Sequence, residues 1–155
     1  MAALTNLSSD VFWEIVRPSN KFLVKSKKNG GVQFSSDPLN LTNCHSRKYA
    51  GFINDKAVGV VPGEKDAVVL LSKKVSAANK PAENLIKTTI GGGKTSRKVY
   101  KAVATQTAKH GYRPDLRAAA VERASAIKQS QRPVKAEPEP KLRGKKAKKA
   151  AEESA

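Results

Sequence analysis

The sequence predicts an α+β fold: a short N-terminal helix with a small antiparallel sheet, followed by two helices and a basic extended C-terminal tail. Three observations predict it. Up to about residue 71, apolar residues come in short β-branched runs separated by Asn, Gly and Pro turns. Between residues 95 and 129 they recur at helical spacing instead. From Arg132 onward prolines and lysines replace them.

The elements follow in order. Ser8-Ser9-Asp10 offers N-cap oxygens, and Phe12, Trp13, Ile15 and Val16 follow, so a short amphipathic helix is expected, stopped by Pro18. Trp13 with Ile15 and Val16 reads as core. Phe22-Leu23-Val24 reads as a strand, Lys27 to Gly31 as a hairpin turn and Val32 to Ser35 as the returning strand. Asp37-Pro38 marks a turn, and residues 39–47 read as irregular. Tyr49 to Ile53 is expected as a strand, Ala57 to Val61 as its partner after a turn at Asn54-Asp55-Lys56, and Ala67 to Leu71 as a further strand after Pro62-Gly63. Such a meander has about five short strands, enough to bury one face against the first helix. Residues 75–83 read as a polar loop, and Leu85 to Ile90 fits strand or helix.

After the flexible Gly91-Gly92-Gly93, Thr95 or Ser96 can cap a helix running to about His110, with Val99, Val103 and Thr107 on one face. Gly111 stands where a left-handed helix cap is common. Asp115 is expected to cap a second helix over about 116–129, whose apolar stripe is Leu116, Ala119, Ala120, Ala124 and Ile127. Lys141 to Lys149 holds six basic residues and one large apolar one, too little to offset its chain entropy, so the tail is expected to stay disordered until a polyanion orders it. The expected organisation is a small α+β domain over 1–90, a helical pair over 91–131 packing on or beside it, and a disordered basic tail over 132–155.

Charge bounds the function. The 155 residues carry 30 Lys and Arg against 13 Asp and Glu, a formal net charge of +17. Residues 1–90 hold 13 basic and 7 acidic residues, net +6; residues 91–155 hold 17 and 6, net +11. A compact chain so charged repels itself, and a nucleic acid is the commonest polyanion that relieves this. A membrane partner is not expected: no apolar run approaches the ~20 residues of a span, Met1-Ala2-Ala3 is no myristoylation signal, Glu152 to Ala155 is no prenylation box, and Asp10 argues against a secretory leader. Cys44 is the only cysteine, which excludes an internal disulfide and fits a reducing cytosol or nucleus.

Enzyme readings fail on spacing. In Gly91-Gly92-Gly93-Lys94-Thr95 the first glycine of a nucleotide-binding loop would fall at position 88, which is Thr88. The loop can still present its amides to an RNA phosphate. Cys44-His45 has only His110 as a further soft ligand, whereas zinc needs about four, or three and a water. Cys44 reads as a buried or idle thiol, and no metal, cofactor or small-molecule substrate is expected.

One stretch is specific. Tyr112-Arg113-Pro114-Asp115-Leu116-Arg117, continued by Ala118 to Ile127, closely resembles the eukaryotic large-subunit ribosomal proteins numbered twenty-eight (the L28e type), which are unrelated to the bacterial protein of that number. Phe22-Leu23-Val24-Lys25, Tyr49 to Ile53, Lys56 to Pro62, Lys87-Thr88-Thr89-Ile90 and Trp13 followed by Val16-Arg17 agree in order. The resemblance spans about residues 10–134; the glycine-rich 91–93 and the tail with Glu137 and Glu139 depart from it. It implies a place on the cytoplasmic ribosome with assembly in the nucleolus, contact with large-subunit ribosomal RNA and neighbouring large-subunit proteins, and no catalysis.

The candidate RNA-binding residues are cations placed to reach phosphate. Arg97, Lys98 and Lys101 lie in the first part of the first C-terminal helix. Arg113 and Arg117 lie four apart at the start of the second, with Arg123 further along. Lys94 belongs to the glycine loop, Lys25, Lys27 and Lys28 to the first hairpin, and Lys141, Arg143, Lys145 and Lys146 to the tail. Tyr112, Tyr100 and His110 are the candidates for stacking on exposed bases. The bland readings are a solvated helix face, hairpin lysines that guard a sheet edge, and a tail serving solubility or nuclear import. The alternative function is a chromatin-associated DNA binder, since Lys145 to Ala150 looks like a linker-histone tail.

Overall fold

The computed structural model describes residues 7–28, 30–77, 80, 82–137, 141, 143–145, 147, 149 and 152. In chain order its elements are α1 (Ser9–Val16), β1 (Leu23–Lys25), β2 (Gln33–Ser35), β3 (Val58–Pro62), β4 (Val68–Lys73), β5 (Leu85–Ile90), α2 (Ser96–Ala108) and α3 (Arg117–Ser130). The chain is α+β as expected, with the strands in two antiparallel sheets: β1 pairs with β2, and β3-β4-β5 form a meander. Leu85–Ile90, open between strand and helix from sequence, is the meander's edge strand.

Strand alternation gives the meander two faces. Val58, Val60, Val68, Leu70 and Ile90 point to one side and pack with Val99, Val103, Leu116, Ala120, Ala124 and Ile127 of the C-terminal helices. Register places Val60 opposite Leu70 and Val68 opposite Ile90, so the same face is apolar on all three strands. On the other side Leu39, Ala57 and Leu71 cluster with Val61 and Val69. Gly59 is required there: a Cβ on it would run into the Pro38 carbonyl oxygen.

The sheet is therefore covered by α3 and α2 on one face, where Leu41 also packs, and by Pro38 and Leu39 on the other. The expected packing of α1 on the sheet is corrected. Trp13 of α1 packs on Ala50 and Ile53, with Phe12 and Phe52 beside them. Ile15, expected in the core, is 65% exposed because the helix turns that face to solvent. Ser8 caps α1 as expected, accepting from the Asp10 amide.

The expected strand at Tyr49–Ile53 is a turn. Ala50 N–H donates to Ser46 O, and Ile53 and Asn54 N–H both reach back to Ala50 O. The cause is local. The Asn54 side-chain amide donates to the backbone carbonyls of Arg47, Lys48 and Ala50, the Arg47 guanidinium donates to Asn54 Oδ1, and Asp37 accepts from Phe52 N–H at 3.1 Å. Side chains thus take the bonds a ladder would have used. Gly51 meets Leu39 so closely that a Cβ would overlap it.

The β3–β4 connection is also tighter than expected. Gly63 N–H bonds to Ala67 O, and Lys65 and Asp66 adopt φ +51° and +58°. Two consecutive left-handed residues make the mirror-image hairpin turn whose twist matches its strands.

Asp115 does not cap α3. Leu116 is the residue at the helix start, and Pro114–Leu116 forms a 3-10 turn. The Asp115 carboxylate is engaged elsewhere: both of its oxygens accept from Arg113 at 2.8 Å. Gly111, at φ +64°, ends the preceding 3-10 turn that extends α2, as its position suggested.

Candidate nucleic-acid interface

The cations of the folded part divide into two groups. One group is tied inward. Arg113, only 16% exposed at its side chain, donates to both Asp115 oxygens, to Lys56 O at 2.7 Å and to Lys48 O at 3.2 Å. Arg47 bonds Asp10, Ser9 and Asn54, joining α1 to the 47–54 turn. Lys73 donates to Phe52 O and Asn54 O, and burial pulls its ammonium below the usual lysine range. Lys128 holds Asp66 O and Gly92 O, tying α3 to the β3–β4 turn and the glycine loop. Gly92 comes close enough there that a Cβ would overlap the Lys65 carbonyl.

The other group faces outward. On α2, Val99, Val103 and Thr107 are buried, so Arg97, Lys98 and Lys101 are exposed on the remaining face. Arg117 is exposed at the first turn of α3. Lys94 is exposed in the turn before α2, and Lys27 and Lys28 are exposed in the first hairpin loop. Lys25 is exposed with its ammonium on Pro18 O at 3.0 Å. Arg123 is half-buried, its Nε out of solvent and without an acceptor among the described residues. Lys141, Arg143 and Lys145 are exposed in the tail. Lys146 lies outside the described residues, as does the side chain of His110.

Tyr112 does not stand free for stacking. Its hydroxyl donates to Lys73 O at 2.7 Å, with Ala57 O at 3.3 Å as a second acceptor, so the α2–α3 connector is pinned to the ends of β3 and β4. Burial pushes the phenol above its ordinary value. Lys56 lies over the Tyr112 ring at 5.9 Å and Lys48 over the Tyr49 ring at 5.4 Å. Arg113 bonds the backbone carbonyls of these same two lysines. It therefore acts as a clamp that ties the backbone of Lys48 and Lys56, both exposed, to the α2–α3 connector.

Cys44 is exposed rather than buried, on a strand-like segment bridged to Phe34. His45 packs on Trp13 at 4.9 Å with its Nε2 at the Arg17 carbonyl. Among the described residues no three His, Cys, Asp or Glu side chains come together as metal ligands, and no helix is long and apolar enough to cross a membrane.

A surface of outward cations on a helical pair, with no assembled acid–base or nucleophilic group in the residues described above, is chemistry for holding a polyanion. The model of the Ribosomal L28e protein family matches residues 11–130. This chain belongs to that family. The L28e match runs from α1 to the last residue of α3, so it takes in every strand and helix named above and stops where the exposed tail begins. Relatives agree. The chain is 42% identical over 131 residues to the large ribosomal subunit protein eL28 of Schizosaccharomyces pombe, covering 84% of this chain and 97% of the relative. It is 37% identical over 117 residues to eL28 of Trypanosoma cruzi, covering 76% and 73%. With eL28 of Dictyostelium discoideum it shares 36% over 132 residues, covering 83% and 92%.

Sequence reasoning missed Lys48 and Lys56 because both sit in segments without periodicity, and only the fold brings them to Arg113. The pairing of Lys56 with the Tyr112 ring had no sequence signal across positions 56 and 112.

Proposed function

We propose that this L28e-family chain is a structural constituent of the cytosolic large ribosomal subunit, binding folded ribosomal RNA and neighbouring proteins and catalysing nothing. The relatives' names support the ribosomal setting, and the outward cations of α2 and α3 carry the RNA reading. Arg97, Lys98, Lys101 and Arg117 dock the helical pair of 91–131 on phosphate, with Lys48 and Lys56 at its border. Lys94 and the hairpin lysines Lys25, Lys27 and Lys28 extend the contact. The segment 132–155, with Lys141, Arg143, Lys145 and Lys146, orders on RNA, and the protein joins the particle in the nucleolus.

Affinity in this reading comes from cations neutralising phosphates and releasing counterions. With about half of the +17 charge engaged, log K should fall with log salt at a slope near −6 to −8. The test is filter binding of the full chain to large-subunit RNA across a salt series, together with sedimentation of cell extract. A steep slope and co-migration with large subunits are expected. No binding at moderate ionic strength and retention on chromatin instead would overturn the proposal.

A further inference from the structure

The α2–α3 pair meets through its buried residues Val99, Val103, Ala120 and Ala124, but the helices do not close over their whole length. On the outer side they leave a cleft of about 560 Å³. Tyr100, Lys101, Ala104, Thr105 and Ala108 of α2 and Arg117 and Val121 of α3 line it; Ala104, Ala108 and Val121 give it an apolar floor, and Lys101 and Arg117 are exposed. Ala104 and Ala108 are the small α2 side chains among its lining, and a longer side chain at either position would fill part of it.

We propose that this cleft takes a single unstacked nucleotide of RNA, its base on the apolar floor beside Tyr100 and its phosphates against Lys101 and Arg117. This rests on the RNA reading above and goes beyond it, since that reading needs only phosphate contact. Three observations favour this occupant. The first is charge: Lys101 and Arg117 are both exposed cations, and among the described residues no carboxylate lines the cleft. The contrast with Arg113 is direct. Four residues before Arg117, it is held by Asp115 and two carbonyls, whereas Arg117 is exposed and its guanidinium meets no acceptor among the described residues.

The second observation is the floor. A paired A-form strand keeps its bases stacked and presents backbone and 2′-hydroxyls, for which an apolar floor does nothing. An unpaired base offers a π-face that aromatic and apolar side chains cover. The third is size: the volume lies within the range of sites that bury a small ligand. An apolar peptide would use the floor but leave both cations unmatched.

The test uses the full chain and two labelled RNA hairpins, identical except that one carries a single bulged 2-aminopurine. Wild-type protein is expected to bind the bulged hairpin about tenfold more tightly than the paired one, the scale of one base–aromatic stack, with a change in 2-aminopurine fluorescence on binding. Ala104→Leu, which fills the floor, should remove that preference and the fluorescence change while keeping the affinity for the paired hairpin. Circular dichroism and the melting temperature establish that the variant is folded; should it not fold, Lys101→Ala with Arg117→Ala, both on exposed positions, must weaken the bulged probe more than the paired one.

Equal wild-type affinity for the two hairpins would overturn the cleft and leave the RNA reading standing. Failure to bind either hairpin at low salt would overturn both. An unchanged preference in folded Ala104→Leu, with loss of binding to a neighbouring ribosomal protein, would assign the cleft to a peptide and overturn the nucleotide.

Discussion

At the scale of single residues, the same side-chain type does opposite work according to what surrounds it. Arg113 and Arg117 are four apart in sequence and look equivalent there. The fold makes the first a strut and leaves the second in solvent. Hydrogen bonds to charged groups contribute roughly 1.5–3 kcal/mol each when their loss strands a partner. Arg113→Ala should therefore cost about 2 kcal/mol and lower the melting temperature by several degrees, while Arg117→Ala should change stability by less than about 0.5 kcal/mol. Thermal or urea melts of the two variants separate the roles, and equal melting temperatures would contradict them.

Asp37 shows the same dependence on surroundings in its proton affinity. It is 3% exposed, and burial raises its carboxyl above 3.8 although the amides of Leu39 and Phe52 bond it and Lys73 lies near. Asp115 goes the other way: hydrogen bonds from Arg113 hold it below 3.8. The signs follow from linkage. A raised folded pKa means that the folded state holds the proton more tightly, so the Asp37 contribution is fully present below 3.8 and is lost as pH rises through its folded value. The Asp115 contribution is present above 3.8 and is lost as pH falls through its lower folded value. Asp37→Asn should flatten the stability curve on the side above 3.8 and leave the acid limb below it, which urea melts over a pH series would show.

At the scale of elements, periodicity was legible and local side-chain bonding was not. The stripe Val99, Val103, Thr107 is buried as its spacing demanded, and so is the stripe Leu116, Ala120, Ala124, Ile127, with its fifth member Ala119 half-buried against the same core. The apolar run at Tyr49–Ile53 met the strand pattern equally well, yet Asn54, Arg47 and Asp37 captured its backbone groups. Those bonds join residues up to 15 positions apart, and no window of the sequence contains the competition. The obvious breakers point to a β3–β4 turn at Pro62-Gly63, whereas the left-handed pair is Lys65-Asp66. Lys is a poor residue at positive φ, where a non-glycine residue is strained by about 1 kcal/mol or more. Replacing Lys65-Asp66 with Asn-Gly, the pair this turn favours, should stabilise the protein by about 1 kcal/mol. A lower denaturation midpoint in the double variant would show that Lys65 contributes something the turn geometry does not account for.

At the scale of the whole molecule, the charge is concentrated where the helices are. Most of the surplus, net +11 of +17, lies past residue 90. Within that part, residues 91–134 hold 10 basic and 2 acidic residues, net +8, and residues 135–155 hold 7 and 4, net +3. The tail is rich in lysine but largely balanced by Glu137, Glu139, Glu152 and Glu153, so its size in the sequence overstates its share of the field. Removing residues 135–155 leaves 23 basic and 9 acidic residues, net +14. Residues 132–137 are exposed and bury nothing against the core, so the truncated chain should keep its circular dichroism and melting temperature. Its binding to large-subunit RNA should persist with a shallower salt slope. Seven tail cations at about 0.7–0.9 per phosphate bound the change at about 5–6. A slope unchanged by the truncation would mean that the tail cations touch no phosphate and that the helical pair carries the RNA contact alone. A slope near zero would mean the reverse, and would move the docking surface off α2 and α3.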